Sequence, residues 1–333
     1  MNEVFRTLSA EARARLCERA EPDWVAPMLA TLTDKRFRDA DWIFERKLDG
    51  ERCLAFRDGA EVRLLTRNRR PLNGTYAELV EALEREHARR FVLDGEVVAI
   101  EAGETSFALL QVRMQLDDPL RARATGVAVY YYVFDLLYLD GYDTTALPLL
   151  ARKRLLASAL ALRDPLRYTE HREGDGETFF REACRRGWEG LIAKRSAGPY
   201  AHHRSPDWLK FKCFNQQELV IGGWTDPEGT RTGFGALLVG YYAAGELRYA
   251  GKVGTGYNAD TLRALAAELH SLEQARSPFA ADAVPARGVH WAAPRLVAEI
   301  RFSDWTRAGR LRQPRYLGLR RDKDAREVAR ERP

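Results

Sequence analysis

The chain has 333 residues, 45% of them hydrophobic and 30% charged, with 53 Lys and Arg against 48 Asp and Glu for a net charge of +5. That length exceeds what one compact core holds and fits two domains, and the composition excludes a disordered chain. The longest apolar stretches, near Val127–Phe134 and Ala236–Ala244, fall short of the roughly 18 residues of a membrane helix, and the charged segment Met1–Arg15 is neither a secretory leader nor a hydrophobic anchor.

In chain order, Ala10–Ala20 reads as a helix, followed by an extended lead-in, Ala26-Pro27-Met28-Leu29. Trp42–Lys47, Arg52–Arg57 and Glu61–Thr66 read as strands, with Asp58-Gly59 as the hairpin turn between the last two. Thr75–His87 carries apolar residues at helical spacing, with Thr75 as N-cap. Phe91–Ile100 is a strand broken by Asp94-Gly95-Glu96, Ser106–Leu116 a short helix, and Val127–Tyr138 a buried strand. Helices follow at Leu149–Ala161 and Glu177–Arg186, the second closed by Gly187, and then strands at Gly190–Arg195 and Trp208–Lys212. Past a boundary near Phe214–Gln217 the pattern changes. Leu219–Trp224, Gly235–Tyr242, Leu247–Val253 and Leu296–Phe302 alternate like strands, with a turn at Ala244-Gly245 and one helix, Ala259–Leu269. Such a strand set with one inserted helix predicts a small barrel. The charge-dense last dozen residues read as a mobile tail.

Cys17, Cys53, Cys184 and Cys213 are widely separated and form no C-x-x-C pair, so neither a zinc module nor a disulfide framework is expected, and reduced thiols are. No G-x-x-x-x-G-K-[ST] occurs, and Gly229, Gly233 and Gly235 do not open a helix after a strand, so neither nucleotide loop of those kinds is present.

The chemistry concentrates in five segments. In Glu45-Arg46-Lys47-Leu48-Asp49-Gly50-Glu51-Arg52 a lysine ends a strand, a tight turn follows, and a second cation returns on the next strand. Alone, this reads equally well as a polar hairpin with solvated charges. Asp94-Gly95-Glu96 puts carboxylates between apolar flanks, where charge needs a reason. Phe134-Asp135 ends an aromatic run. Glu189-Gly190-Leu191-Ile192-Ala193-Lys194 sets a carboxylate before an apolar strand, and Trp208-Leu209-Lys210-Phe211-Lys212 alternates lysines on one face with aromatic residues on the other. Each has a bland explanation, but their order and spacing together do not.

In that order, the segments K-x-D-G-x-R, D-G-E, F-D, E-G-L-x-x-K and K-x-K resemble the covalent nucleotidyltransferases: ATP-dependent DNA ligases, RNA ligases and mRNA capping enzymes. Thr66-Arg67-Asn68 resembles the small motif after the nucleophile. Gly251-Lys252-Val253-Gly254-Thr255-Gly256-Tyr257, and the run from Arg312-Gln313-Pro314 to Arg320-Arg321-Asp322-Lys323, resemble C-terminal segments of DNA ligases. The likeness is closest to the bacterial ATP-dependent enzymes, especially the ligase module of multidomain end-joining ligases, and covers residues 26–324. It implies an α+β fold: a nucleotidyltransferase domain of ATP-grasp-like antiparallel sheets with helices over residues 1–215, then an OB-fold barrel over 216–333.

The resemblance also implies an ATP-dependent ligase that seals 5′-phosphate/3′-OH nicks through lysyl-AMP and DNA-adenylate, serving DNA repair or recombination and non-homologous end joining. An RNA ligase or a non-catalytic DNA-binding homologue remains as the alternative. Lys47 matches the nucleophile, and Arg52, Lys210 and Lys212 beside it, with a bound divalent ion, would lower its pKa. Glu45 would read the adenine amino group and Phe134 would stack on the base. Arg52, Arg67, Lys194 and Arg204 would contact the nucleotide, Glu96 its ribose, and Lys210 and Lys212 its α-phosphate. Glu189 and Glu96 would hold Mg²⁺ (or Mn²⁺). Arg320, Asp322 and Lys323 would act on the β- and γ-phosphates. ATP is favoured over NAD, because the chain lacks the four-cysteine zinc module of the NAD-dependent enzymes. Nicked duplex DNA and a Ku-type end-binding protein are the implied partners of a monomeric, minimal two-domain enzyme in the bacterial cytoplasm, at the nucleoid.

Overall fold

The computed structural model describes residues 3–101, 103–114, 116–227, 232–280, 284 and 288–331; Gly229, one of the glycines weighed above, lies outside them. The chain divides into two compact units between Cys213 and Phe214.

In the first unit the elements that matter are α1 (Ala10–Ala14), β1 (Leu29–Leu32), β2 (Arg38–Lys47), β3 (Glu51–Asp58), β4 (Glu61–Thr66), α2 (Ala77–Glu84), β5 (Arg90–Glu101), α3 (Phe107–Gln111), β6 (Val129–Leu139), α4 (Leu149–Ala159), β7 (His171–Asp175), α5 (Gly176–Arg185), β8 (Gly190–Arg195) and β9 (Arg204–Lys212). They build two sheets. The first runs β6-β5-β3-β4, extended beyond β6 by the short strands Tyr142–Asp143 and Cys17–Glu18. The second runs β7-β2-β8-β9-β1. Period-2 alternation decides what each face meets. Trp42, Phe44, Leu191, Ala193 and Phe211 point from the second sheet toward Phe179 and Ala183 of α5. Its other face contributes Trp208 to a cluster with Leu54, Phe56, Val92 and Phe134 of the first sheet. The five candidate segments therefore meet between two sheets.

Several expectations change. The helix from Ala10 stops at Ala14, because Cys17 and Glu18 pair instead with Asp143 and Tyr142 at the sheet edge. Thr75 does not cap α2. Tyr76 holds the N-cap position without a side-chain bond, while the Thr75 carbonyl accepts from Arg113 at 2.7 Å. β5 is not broken at Asp94-Gly95-Glu96; it runs on, absorbing register shifts against β6 at Val92/Leu93 and Asp94/Gly95. Gly95 is required there, since a Cβ would lie 2.4 Å from the Tyr131 ring. Trp208 shares the face of Lys210 and Lys212, so only Phe211 is the aromatic on the opposite face. Finally, Cys184 and Cys213 are not reduced thiols but a disulfide. Cys184 sits near the end of α5 and Cys213 just after β9; the Trp188 N–H donates to Ala183 O at 3.0 Å and the Cys213 N–H to Glu189 O at 2.9 Å, which brings the two segments together.

The second unit contains β10 (Asn215–Thr225), β11 (Leu237–Ala243), β12 (Glu246–Val253), α6 (Ala259–Ser271), β13 (Val289–Ala292), β14 (Val297–Phe302) and β15 (Arg315–Leu319). The long β10 pairs with β11, β13 and β14, and β14 pairs with β15, curling the sheet around an apolar interior that Leu265 and Leu269 of α6 help fill. The β11–β12 turn has Ala244 at φ 52° and Gly245 at φ 81°, the positive pair that tight hairpins use. Through Glu331, the expected mobile tail is docked on the unit, where the Glu331 N–H donates to the Gln217 side chain at 3.1 Å. Ala325 and Val328 are buried, and the Tyr242 N–H donates to Val328 O at 2.7 Å.

Candidate active site

Three neighbouring antiparallel strands set the lysines. Lys47 on β2 lies opposite Gly190 on β8, which lies opposite Lys212 on β9. The next rung on the same face is Glu45, Ile192 and Lys210. At Gly190 a Cβ would meet the Phe211 carbonyl oxygen at 1.8 Å. Glycine is thus obligatory for the close strand approach, and it leaves the lane between Lys47 and Lys212 without a side chain.

The Lys47 ammonium donates to Glu189 Oε2 at 2.5 Å. The sequence reading expected neighbouring cations, together with a bound divalent ion, to lower its pKa; the protein's own groups alone act in the opposite direction. Burial does oppose the charge, but the Glu189 carboxylate, then Asp49 and Glu96, outweigh it and hold the lysine well above its ordinary value. The Lys47–Glu189 pair therefore favours the protonated amine.

Deeper in the same cleft lies a group of charges with little solvent access. Glu45, 2% exposed, is paired to Lys153 Nζ at 2.5 Å and to Lys194 Nζ at 2.6 Å. Lys194 also sits over the rings of Phe134 (4.2 Å) and Trp208 (4.1 Å). Burial pushes the Lys194 amine below its usual value against the pull of Glu45. Arg52 forks onto the fully buried Asp94 with two bonds of 2.5 Å and lies 4.6 Å over the Phe134 ring. Asp94 also accepts from the Tyr200 hydroxyl at 2.5 Å, and Tyr200 in turn accepts from the Met28 N–H at 2.9 Å. The D-G-E carboxylate is thus the anchor of an arginine, a tyrosine and the extended lead-in. Asp135, beside Phe134, is fully buried in a fork with Arg152 of α4, at 2.7 and 2.9 Å.

The other sequence-predicted residues fall into three groups. Glu96 stands opposite Arg52 in the sheet, half-buried, and its charge acts on both Arg52 and Lys47. Lys210 and Lys212 are half-buried on the site face. Arg67 follows β4, and Arg204 is exposed at the start of β9, donating to the Ala30 carbonyl, apart from the cluster. In the second unit, Arg320 forks onto Asp322 at 2.9 and 2.8 Å, and Lys323 pairs with Glu218 at 3.0 Å. Despite burial, Arg320 keeps the Asp322 carboxyl below the usual range. The two C-terminal sequence segments touch: Tyr257 stacks on Tyr316 at 4.9 Å, and the Tyr316 N–H donates to Thr255 O at 2.9 Å. Sequence reasoning missed Lys153, Arg152 and Tyr200. The adjacent cations Arg152 and Lys153 among the leucines of a helix were the available signal.

A family model described as the ATP dependent DNA ligase domain matches residues 27–212, and one described as the ATP dependent DNA ligase C terminal region matches 230–323. The multifunctional non-homologous end joining protein LigD of Pseudomonas aeruginosa is 39% identical over 321 residues, covering 94% of this chain and 37% of that protein. The LigD of Mycobacterium tuberculosis, described as a multifunctional non-homologous end joining DNA repair protein, is 40% identical over 317 residues, covering 93% and 40%. The chain thus spans about two fifths of the length of these relatives. The solved structure of a mycobacterial DNA ligase D complexed with ATP and MES superposes with a TM-score of 0.67 at 38% identity, covering 92% of this chain and 98% of that one. The architecture shared with it is a nucleotidyltransferase domain followed by an OB-fold.

Proposed function

The chain belongs to the ATP-dependent DNA ligases, and from that membership we propose that it seals 5′-phosphate/3′-OH nicks in duplex DNA. Lys47 Nζ attacks the α-phosphorus of ATP, an N–P bond forms and pyrophosphate leaves. The adenylate then passes to the 5′-phosphate of the nick. The 3′-hydroxyl attacks that phosphate, a phosphodiester forms and AMP leaves. The observation that carries this reading is the lone lane at Gly190, with the nucleophile candidate on one side, Lys212 on the other and Glu189 at its end.

In this reading Lys210 and Lys212 hold the α-phosphate, where fixed cations offset charge that moves toward the leaving pyrophosphate. Glu45 and Phe134 take the base, Glu96 the ribose, and Arg52, Arg67, Lys194 and Arg204 the rest of the nucleotide and the nick ends. Arg320, Asp322 and Lys323 act on the β- and γ-phosphates. Glu189 and Glu96 are hard oxygen donors whose charges both act on Lys47, and they fit Mg²⁺ or Mn²⁺, ions that take their remaining ligands from water and phosphate. Among the described residues no group of three ligating side chains offers a rival site. When bound, the ion neutralises phosphate charge. End joining is part of the proposal, supported by the relatives' printed names; a Ku-type partner and action at the bacterial nucleoid complete it on the family resemblance alone.

The test is mass spectrometry of the chain after incubation with ATP and Mg²⁺, followed by sealing of nicked duplexes with DNA or RNA at the 3′ terminus. One AMP on Lys47, absent in Lys47→Ala, and sealing of DNA nicks support the proposal. A chain that never acquires AMP overturns it. Sealing with and without a Ku-type protein decides the partner.

A further inference from the structure

Two consecutive residues of α4 reach into the cleft and each grips a different wall of it. Arg152 forks onto Asp135, the neighbour of Phe134. Lys153 pairs with Glu45 at 2.5 Å and is itself fixed by the Thr169 carbonyl at 3.0 Å and the Tyr168 ring at 4.5 Å. Arg154, the next residue, is exposed. A helix that buries two of three successive cations, each against a single carboxylate, is not using them for solubility.

We propose that Lys153 is a positioning residue: it holds the Glu45 carboxylate ionised and aimed, and so sets the preference of the site for a 6-aminopurine nucleotide. The proposal rests on the reading of Glu45 as the group that meets the base. An ionised carboxylate only accepts hydrogen bonds, so it welcomes the 6-amino group of adenine and repels the carbonyl oxygen that hypoxanthine or guanine carries there; a protonated carboxyl would do both jobs. Burial alone would push Glu45 toward protonation, and Lys153, then Lys194, bring it below the ordinary carboxylate value. Other titratable groups around the pair are His171, opposite Glu45 on β7, Tyr168, and Asp135, whose charge acts on both Lys153 and Lys194. Burial holds His171 below its usual value, with Lys153 acting in the same direction. Lys194 pairs with the other Glu45 oxygen, Oε2, and lies over the rings of Phe134 and Trp208, so the two lysines hold the carboxylate from different sides.

The experiment compares ATP with inosine triphosphate in formation of the lysyl-nucleotide by the whole chain. Lys153→Met is expected to raise KM for ATP, and to lower the ATP-over-ITP preference, by about tenfold or more, the worth of one charge-assisted bond, while kcat changes little; Lys153→Arg recovers most of the preference. A folded Lys153→Met with wild-type KM and preference overturns the proposal. Glu45→Gln separates the two layers. If it abolishes the preference and Lys153→Met does not, Lys153 is not the positioning residue. If neither matters, the base-reading assignment of Glu45 has failed. Should Lys153→Met not fold, the wild-type preference is followed with pH: constancy down to about pH 5 supports the proposal, and a decline with a midpoint above that overturns it.

Discussion

At the residue scale the site is held by carboxylates, and their partners define what each does. Asp94 has no solvent access and serves Arg52 and Tyr200 together. Removing one member of a buried pair leaves an uncompensated charge, so Asp94→Ala should lower stability by about 3–5 kcal/mol in denaturant unfolding; a loss within error of zero would mean that the fork is not formed in solution. Glu189 is the opposite case, a carboxylate whose grip must be released if Lys47 attacks as proposed. Because it holds the Lys47 pKa up, less free amine exists at a given pH, and Glu189→Gln should increase it. Without nucleotide, Lys47 in that variant should react faster with an amine-acylating reagent at pH 8, about tenfold per unit of pKa recovered, as read by peptide mapping. The segments that hold Lys47, Glu189 and Asp94 stood out in the sequence because local spacing carries them, although the role expected in Asp94-Gly95-Glu96 was given to Glu96 and the anchoring part of Asp94 was not seen. Lys153 did not stand out: a cation in a helix reads as solvated until the helix is seen to lie over a buried carboxylate. The carboxylate that bonds Lys47 was not foreseen as its partner for a related reason, since Glu189 lies 142 residues away in the chain and meets the lysine only once β2 and β8 pair.

At the scale of elements, strand positions were readable because alternation is local, whereas the links between elements were not. The Cys184–Cys213 bond joins segments 29 residues apart that meet only after α5 has packed on β8 and β9. On loop-closure grounds, Cys184→Ser should cost about 3–4 kcal/mol of stability, and a reducing agent should produce the same shift in the wild type and none in the variant. In the second unit, His290 on β13 bridges Asp226 after β10 (2.8 Å) and Glu273 (2.9 Å), and its ring stacks on Trp224 at 5.1 Å. Both carboxylates raise the imidazole pKa by hydrogen bonding. A group whose pKa is raised on folding stabilises fully below its unfolded value, about 6.5, and loses that contribution as pH rises through the folded value. The Tm difference between wild type and His290→Ala should therefore be largest near pH 6 and shrink toward pH 8, and a difference independent of pH would remove the clamp.

At the scale of the whole molecule the small positive charge is unevenly divided. From Phe214 on, 18 Lys and Arg face 14 Asp and Glu, whereas the preceding 213 residues hold 35 against 34, so four of the five surplus charges lie in the second unit. The overall figure of +5 hid this, and so did the pairing: Arg320, Arg321 and Lys323 are used internally against Asp322, Glu268 and Glu218. Arg307 and Arg312 are exposed around the hairpin of Asp304–Trp305 and Leu311–Arg312, and no ion pair engages either among the described residues. A ligase must seal any sequence, so its grip on DNA should go to phosphates and be sequence-blind. Each phosphate neutralised by a cation releases counterions and steepens the dependence of log affinity on log salt by about 0.9. Replacing Arg307 and Arg312 by alanine should then weaken binding to nicked duplexes of unrelated sequence by the same factor and reduce the slope by up to about 2. Binding isotherms of both proteins across a salt series measure this directly. Equal slopes would move the phosphate contacts to other cations, and a slope near zero for the wild type would contradict backbone recognition altogether.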